Sequence, residues 1–336
     1  MEKKYVLGVD GGNTKTHYFL YDTEGNYVDC VCAGTCSHEA LPDSFDGTYR
    51  EIGQRMAELF SRNGISVEDI AFAAFGLAGA DFEWQKEKLS SVIRSLGFNA
   101  YVVDNDGFLA LKAGCESGFG VGCINGTGTV TVGINEKGER LQIGGMGEIS
   151  SDKAGASYIA SRGMSAVYDM IFRGGEKTVL KEMFFEESDI ILAKDFSYAA
   201  ASALRSKQGV YKINLLMERA EAAGDGAVKK ISEQVGRELA ISVAGCIENL
   251  RFLQPVEVVL AGSVWVKGKF PSMNEAFVSI LQEKSPNPFM IRKLEQPPAI
   301  GAVIWALEEY RGQSGDGSRR FDKTTLLKNE RLLEMF

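Results

Sequence analysis

Cysteine is scarce in this chain, with six residues in 336. So few cysteines cannot form a disulfide scaffold, and their scarcity agrees with a reducing compartment. Long apolar runs are missing too: the longest, at residues 71–80, is far shorter than a membrane span, and no signal-peptide pattern follows Met1. No block of lysines or arginines occurs, and the net charge of -8 repels a polyanion. We therefore expect a cytoplasmic protein with no membrane span and no nucleic-acid partner.

Metal-ligand motifs are weak as well. Cys30, Cys32, Cys36 and His38 lie close together, but their spacing lacks the C-x2-C knuckle from which structural zinc sites usually start. Cys30 and Cys32 merely share one face of a predicted strand, because side chains alternate along a strand. We interpret these four side chains as buried or incidental.

The common nucleotide-binding motifs are absent. No GxxxxGK[ST] loop occurs, since Phe270 follows Gly268 and Lys269, and the chain has no protein-kinase HRD or DFG set. The Gly-Thr-Gly at residues 126–128 does not continue to the third glycine of a dinucleotide fingerprint. Any phosphate binding must come from a different architecture.

The length of the chain fits two domains. Three strands joined by two turns are predicted over residues 5–33, and a helix, a strand, a helix and a strand follow up to Asp104. This order indicates an α/β layer with a mixed sheet. The strand-turn-strand pattern begins again over residues 120–143, which indicates an internal duplication.

The remainder of the chain is largely helical. Apolar residues from Val228 to Leu250 recur at steps of three and four, which predicts a long amphipathic helix. A buried strand is predicted at 256–261 and a further helix at about 299–310. We predict an N-terminal domain at 1–115 and a C-terminal domain with a helical insertion at 116–311. The tail at 312–336 is predicted to contain a flexible link at 312–320 and a last helix at 324–336. Whether this tail returns to the N-terminal domain stays open.

Two glycine-rich turns occupy equivalent points of the repeat, Asp10-Gly11-Gly12-Asn13-Thr14-Lys15-Thr16 and Gly126-Thr127-Gly128-Thr129. Successive backbone N–H groups in such turns form a concave nest for phosphate, and glycine permits positive φ angles and a close approach. A single turn of this kind is equally typical of an ordinary hairpin. Two of them in a duplicated chain predict a polyphosphate held by one turn from each domain.

Further short motifs follow one another in a fixed order along most of the chain. Besides the two turns, they are Gly76-Leu77-Ala78-Gly79, Asn105-Asp106, Gly144-Gly145-Met146-Gly147, Asp152, Ala261-Gly262-Ser263-Val264-Trp265 and Ala299-Ile300-Gly301-Ala302. This ordered set resembles the N-acetylglucosamine kinase group of the BadF/BadG/BcrA/BcrD ATPase family, within the actin/Hsp70/hexokinase superfamily.

The resemblance implies a fold and a function. The fold would be α/β, with two duplicated actin-like (ribonuclease H-like) domains, mixed sheets and an ATP cleft between them. The function would be transfer of the γ-phosphate of ATP to a hydroxyl of an amino sugar, N-acetylglucosamine or a relative such as glucosamine or N-acetylmuramic acid. ATP and Mg²⁺ would be the cofactors and a small-molecule sugar the partner. Whether the chain forms a homodimer stays an open question.

The resemblance also implies residue roles. Asp106 would be the catalytic base that accepts the proton of the sugar hydroxyl; the alternatives are Asp104 as base, or Asp106 as an N-cap of the next helix. Asp10 would contact magnesium. Nucleotide contacts would come from Asp10, Gly11, Gly12, Asn13, Thr14, Lys15, Gly126, Thr127, Gly128, Thr129, Gly262 and Ser263. Sugar contacts would come from Ser37, His38, Gly79, Asp106, Gly145, Met146 and Asp152.

Two positions depart from the family pattern. Where the family usually shows Gly-Asp-Glu-Gly-Ser, this chain keeps Asp152 but has Lys153 in place of the acid. The sugar-binding Asn of the family is replaced by Ser37 or His38. Both changes predict a sugar preference different from that of other N-acetylglucosamine kinases. Lys153 would favour a sugar carboxylate, as in N-acetylmuramic acid, if it faces the pocket, whereas a solvent-facing lysine would have no such effect.

Two other functions stay open. One is an ATPase that drives electron transfer in a partner enzyme, since such activators resemble this chain at Cys123, where their cysteine holds a bridging iron–sulfur cluster. They need a second cysteine a few dozen residues later, and the next here is Cys246. The other is an ATP-dependent sugar-binding regulator, which the presence of a candidate base at Asp106 disfavours.

Overall fold

The structure, a computed structural model, describes residues 4–150, 152–313 and 326. Their contacts divide them into two compact units: residues up to Gly122 with those from Leu294 onward, and Cys123–Lys293. The sequence analysis placed this junction at 115/116 and assigned the helix near residue 300 to the C-terminal domain. In the structure that helix packs on elements of the first unit, which explains the difference.

The first unit is an α/β layer. It contains β1 (Tyr5–Gly11), β2 (Lys15–Asp22), β3 (Tyr27–Gly34), α1 (Ser44–Asn63), β4 (Ile70–Leu77), α2 (Glu83–Ser95), β5 (Tyr101–Asp104), α3 (Gly107–Gly114) and α11 (Ile300–Gln313). The sheet has the order β3-β2-β1-β4-β5. β1 pairs antiparallel with β2 and parallel with β4, and β4 pairs parallel with β5. The carboxyl ends of β1, β4 and β5 therefore lie side by side.

The second unit repeats this sheet and adds helices. It contains β6 (Gly120–Asn125), β7 (Thr129–Ile134), β8 (Arg140–Gly144), α4 (Ala156–Phe172), α5 (Leu180–Glu187), α6 (Phe196–Leu204), α7 (Lys207–Ala222), α8 (Gly226–Leu250), β9 (Val256–Ala261), α9 (Ser263–Val266), α10 (Pro271–Lys284) and β10 (Phe289–Lys293). Its order, β10-β9-β6-β7-β8, read from the other edge matches that of the first sheet. The predicted duplication and the mixed sheets are confirmed.

Local sequence signals explain the helices that matter for the site. Ser206 caps α7, since its hydroxyl accepts a hydrogen bond from the Gly209 N–H at 3.0 Å. Asp225 caps α8 in the same way through the Val228 N–H at 3.0 Å. The apolar positions predicted for α8 are mostly buried and face α10 and β7. Burial of this stripe holds the helical layer against the second sheet.

The outer parts of the chain complete the comparison with the sequence. No helix among the described residues is long and apolar enough to cross a membrane. The predicted link at 312–320 begins inside α11, which ends at Gln313. Apart from Leu326, the rest of that link and the predicted helix at 324–336 lie outside the described residues.

Candidate active site

Three carboxylates stand at the carboxyl edge of the first sheet. Asp10 lies at the end of β1, Asp81 follows β4, and Asp106 follows β5. These three strands are parallel neighbours, and the loops after such strand ends are where open α/β sheets usually bind ligands. The Asn105 side chain donates a hydrogen bond to Asp81 Oδ1 at 2.8 Å, which ties the loop after β4 to the loop after β5.

Asp106 has the electrostatic environment of a base. It is only partly exposed, and burial, together with the charges of Asp10 and Asp81, raises its pKa to about 7. Asp106 occupies the N-cap position of α3, but its side chain accepts no capping hydrogen bond. The Gly107 N–H donates a hydrogen bond to Asn105 Oδ1 at 2.8 Å. The absence of a capping hydrogen bond disfavours the N-cap interpretation of Asp106, while the nearby backbone N–H groups of Asp106 and Gly107 partly offset the rise in its pKa.

Asp104, the alternative base, has a different role. Its side chain is buried and Lys86 Nζ of α2 lies 2.9 Å from Oδ1. The Asn105 N–H also donates to this oxygen, at 2.9 Å. A buried carboxylate whose oxygen is already paired with an ammonium group and a backbone N–H is poorly available to a ligand hydroxyl. This pairing favours Asp106 over Asp104 as the catalytic base.

The first glycine-rich turn joins β1 to β2. The Gly12 N–H donates to Lys15 O at 3.0 Å, and Thr35 Oγ1 donates to Gly12 O at 2.9 Å. Asn13, Thr14 and Lys15 are exposed at its tip. His17 lies directly across the sheet from Asp10, with Nδ1 3.9 Å from the Asp10 carboxylate. The turn thus presents polar groups beside the carboxylate predicted to contact magnesium.

The predicted sugar residues of the first unit form one polar network. Ser37 Oγ donates to Ala78 O at 3.4 Å, so the loop after β3 is joined to the end of β4. An added Cβ at Gly79 would come within 2.8 Å of His38 Cε1, so the His38 ring closes directly over Gly79. Ser37, His38 and Gly79 are therefore brought together as predicted from sequence, although their role in sugar binding stays a prediction.

Gln85 of α2 determines which ring nitrogen of His38 carries hydrogen. The amide oxygen of Gln85 accepts from the N–H groups of Asp81 and Phe82 at 3.1 and 2.9 Å. Its NH₂ group must then donate to Glu39 Oε1 at 3.2 Å and to His38 Nε2 at 3.3 Å. His38 is therefore an acceptor at Nε2 and carries its hydrogen on Nδ1. Burial lowers its pKa, so the ring is neutral near pH 7.

Changing Gln85 to Glu should raise the pKa of His38. The new carboxylate can still accept from the Asp81 and Phe82 N–H groups, but it places a negative charge beside Nε2, which favours the imidazolium. An NMR titration can measure this directly, because the chain has two histidines. Gln54→Glu, at an exposed position of α1, adds the same charge elsewhere and should leave His38 unchanged. An unaltered His38 titration in Gln85→Glu would show that the side chain of residue 85 does not contact the His38 ring.

The second glycine-rich turn is held by the first turn of α4. The N–H groups of Ala156 and Ser157 donate to Gly126 O at 2.8 Å and Thr127 O at 3.1 Å. The Gly155 N–H donates to the Asn125 side chain at 2.8 Å. Thr129 Oγ1 donates to Ile124 O at 2.9 Å, so this hydroxyl shapes the turn itself.

The glycines of the two turns do not provide an unusual backbone conformation, and close packing explains Gly11 alone. The sequence analysis expected positive φ angles there, but Gly11, Gly12, Gly126 and Gly128, all of them described, do not adopt them. An added Cβ at Gly11 would come within 2.6 Å of Leu77 and 2.8 Å of the Cys36 sulfur. The positive φ angles belong instead to neighbours of the second turn, among them Gly155 at 88° and Gly262 at 96°.

A cavity of about 560 Å³ opens beside the second turn, entirely within the second unit. It is lined by the predicted nucleotide residues Thr127 and Ser263, by Ser157 at the start of α4, and by side chains of α7. Its size is typical of small-molecule sites. Gly262 packs so closely on this turn that an added Cβ would lie 2.5 Å from the Asn125 backbone.

The loop after β8 is organised by Asp152. Its carboxylate accepts from the Gly145 N–H at 3.2 Å, the Gly147 N–H at 2.7 Å and Ser150 Oγ at 2.8 Å. Met146 is held in the same loop through its N–H, which donates to Ser150 Oγ at 3.1 Å. A carboxylate has about four acceptor positions, so Asp152 retains room for one further donor. In this structure the Asp152 carboxylate mainly stabilises the loop that carries Gly145 and Met146.

Lys153 lies against α8. Its ammonium group is 3.7 Å from Glu238 Oε1, and 47% of its side chain is exposed. Exposed ion pairs of this kind contribute little to stability. Lys153 is therefore paired with Glu238, an acid of the same unit.

The two cysteines weighed for an iron–sulfur cluster are buried. Cys123 and Cys246 are both free thiols with no exposed surface. Burial raises the pKa of each to about 12. Cluster ligands must be thiolates, which form readily only where the pKa is low. This environment disfavours the electron-transfer alternative.

Several site residues were not singled out from the sequence. Asp81, Gln85 and Lys86 in the first unit, and Asn125 and Asn214 in the second, all contact predicted residues or line the cavity. The position of Asp81 after a parallel strand was a usable signal, since Asp106 was identified from the same kind of position. Contacts of the other four depend on tertiary packing.

Comparison with known proteins adds an independent finding. The sequence profile of the BadF/BadG/BcrA/BcrD ATPase family matches residues 7–306. The chain is 28% identical over 319 residues to the N-acetylmuramic acid/N-acetylglucosamine kinase of Clostridium acetobutylicum, covering 91% of this chain and 99% of the relative.

Solved structures show the same fold. A protein from Chromobacterium violaceum, provisionally named an N-acetylglucosamine kinase, superposes with a TM-score of 0.65 at 18% identity, covering 91% of this chain and 100% of the other. A ROK family glucokinase from Streptomyces griseus, in complex with glucose and AMPPNP, gives 0.53 at 14% identity, with 89% and 97% covered. The predicted class of two related α/β domains is confirmed.

Proposed function

Since the chain belongs to the BadF/BadG/BcrA/BcrD ATPase family, as its motif order predicted, we propose that it is an ATP-dependent kinase that phosphorylates a hydroxyl of an amino sugar. The observation that carries the proposal is Asp106, an uncapped carboxylate with a pKa raised to about 7 at the carboxyl edge of parallel strands. A general base is most effective when its pKa lies near the working pH. The named activity of the Clostridium acetobutylicum relative supports an amino sugar as the acceptor.

The proposed reaction uses few protein groups. Asp106 takes the proton of the sugar hydroxyl as that oxygen attacks the γ-phosphorus of ATP and the bond to the β-phosphate oxygen breaks. The turns at Gly11–Thr14 and Gly126–Thr129 supply backbone N–H groups for the phosphates. The sugar is expected to contact the polar network around Ser37 and His38.

Asp10 fits the proposed magnesium. Magnesium is usually held by one or two carboxylates, with substrate phosphates and waters as its other ligands. The Asp10 side chain is 23% exposed beside the first turn, so its oxygens can reach a phosphate-bound ion. No cluster of three or more metal-ligating side chains occurs in the described part of the chain. When bound, the ion would neutralise charge on the phosphates. We place the reaction in the cytoplasm, where ATP is available.

The test is ADP release with Mg-ATP and a panel of sugars: N-acetylglucosamine, glucosamine, N-acetylmuramic acid and glucose. We expect turnover with at least one amino sugar and much less with glucose. Mass spectrometry of the product should show one added phosphate. ADP release that does not depend on any sugar would overturn the kinase proposal.

Lys153→Glu should change kcat/KM by a similar factor for all the amino sugars. The ion pair with Glu238 directs the Lys153 ammonium group to α8, so we expect it not to recognise a sugar carboxylate. The measurement compares kcat/KM for the acetylated, deacetylated and lactyl-bearing sugars. Lys181→Glu, a second lysine beside an acid in the same unit, serves as a charge-matched control. A selective loss for N-acetylmuramic acid would show instead that Lys153 contacts its carboxylate.

A further inference from the structure

One amide in the wall of the cavity beside the second turn has an orientation that its neighbours determine. Asn214 of α7 lines this cavity and is 7% exposed. Its NH₂ group donates to Ala156 O at 2.9 Å and to Val210 O at 2.8 Å. An amide NH₂ has two hydrogens, and both are used by carbonyl oxygens that can only accept. The side-chain oxygen cannot exchange places with the nitrogen.

The Asn214 side-chain oxygen has no hydrogen-bond donor among the described residues. A buried acceptor without a partner loses the hydrogen bonds that water would give it, so native proteins rarely leave one unpaired. Asn214 lines a ligand-sized cavity, although Oδ1 itself has almost no accessible surface in this structure. A ligand bound there supplies the missing donor once a small movement of the cavity wall uncovers this oxygen. The required ligand group is an N–H that reaches Oδ1 of Asn214.

We propose that Asn214 determines nucleotide specificity by accepting a hydrogen bond from the exocyclic amino group of adenine. The inference rests on the proposed function, in which the Gly126–Thr129 turn contacts the phosphates of ATP, and it places the base of ATP in the cavity beside that turn. Apolar side chains in the same wall, Val210 and Val264, suit the faces of a purine ring. A base with an oxygen in place of the amino group would set an acceptor against an acceptor.

Recognition of the base is connected directly to the phosphate turn. Asn214 donates to the carbonyl of Ala156, and the N–H of the same residue donates to Gly126 O at 2.8 Å. One residue, Ala156, therefore separates the amide proposed to contact the base from the turn proposed to contact phosphate. Asn214 both selects the nucleotide and supports α4 against the turn.

The test is equilibrium binding of three nucleoside triphosphates without any sugar. ATP carries the 6-amino group, purine riboside triphosphate has hydrogen at that position, and inosine triphosphate has oxygen. We expect wild-type protein to bind ATP roughly 10- to 100-fold more tightly than either analogue, because each analogue leaves Oδ1 unpaired. In Asn214→Leu this ratio should fall to within about threefold, since the discriminating acceptor is gone.

Two further variants separate recognition from stability. Asn214→Asp keeps an acceptor oxygen and should retain the preference for ATP even if overall affinity falls. Asn249 of α8 makes the same kind of bond, to Gly245 O at 2.7 Å, but is exposed, so Asn249→Leu should keep the wild-type ratio. If Asn214→Leu does not fold, the affinities of the wild-type protein and of Asn214→Asp for the three nucleotides still test the proposal.

Some outcomes would overturn the proposal. Equal affinity of wild-type protein for ATP and purine riboside triphosphate would show that Oδ1 does not contact the base. A ratio unchanged in Asn214→Leu would exclude this residue as its source. Failure of the sugar assay with the nucleotide ratio intact would instead remove the sugar-kinase proposal and leave the role of Asn214 standing.

Discussion

Replacing Asp106 by Asn is expected to lower kcat by roughly 10²- to 10⁴-fold, the usual contribution of a positioned general base. The amide keeps the shape of the carboxylate but cannot take the hydroxyl proton. ATP affinity should change little, because the proposed nucleotide contacts lie elsewhere. Steady-state kinetics with the best sugar of the panel, together with ATP binding, measures both effects.

The raised pKa of Asp106 predicts the pH dependence of the reaction. The base must be ionised to work, so kcat should fall as the pH falls through about 7. The same shift affects stability in the opposite direction. The folded protein holds this proton more tightly than the unfolded chain, whose carboxyl has its ordinary value of 3.8, so stability is lost as the pH rises from about 4 to about 7. Asp106→Asn should therefore gain in Tm relative to wild type as the pH rises.

Asp104→Asn is the matched control for Asp106→Asn. This change leaves the Lys86 ammonium group without its buried partner, which should lower the free energy of unfolding by about 3 kcal/mol. The folded fraction should keep most of its kcat, since Asp104 takes no part in proton transfer. The reverse ranking of the two variants would place the base at Asp104 and contradict the assignment.

Gly155→Ala is expected to weaken ATP binding by roughly 10- to 100-fold, because hydrogen bonds from the displaced turn to a charged phosphate are worth about 1.5–3 kcal/mol. A Cβ at residue 155 would lie 2.7 Å from both Gly128 Cα and Thr127 O, which are backbone atoms. Unlike a side chain, they cannot rotate away, so the second turn must move. Nucleotide binding by calorimetry measures the loss.

Gly224→Ala separates this collision from backbone strain. Gly224 has a φ of 87°, against 88° for Gly155, but a Cβ there meets no atom within 4 Å. Both variants should lose stability from an unfavourable φ angle, by about 1–2 kcal/mol. Gly155→Ala should lose more, since the ψ of 154° at Gly155 lies in a region that only glycine adopts readily and its Cβ meets the backbone. Only Gly155→Ala should weaken ATP binding. Equal effects of the two variants on ATP binding would show that the second turn does not hold the nucleotide.

The elements of this protein are largely determined by local sequence. Alternating apolar residues around short polar turns produce the strands, and the stripe from Val228 to Leu250 produces α8, because these patterns depend on neighbours a few residues apart. The repeat of one pattern predicts the repeat of one sheet, and the structure shows it. The position of Asp106 after a parallel strand likewise follows from the order of the elements.

The environments that distinguish the proposed base, Asp106, from Asp104 are set by the tertiary structure. Asp104 and Asp106 are only two residues apart, but Lys86 pairs with the first, while burial and the charges of Asp10 and Asp81 raise the pKa of the second. The orientation of Asn214 likewise depends on a carbonyl 58 residues away. Such contacts leave no periodic signal, because they arise where the sheet brings distant loops to one edge or where two helices pack. Electrostatics and hydrogen bonding at that distance are properties of the folded chain.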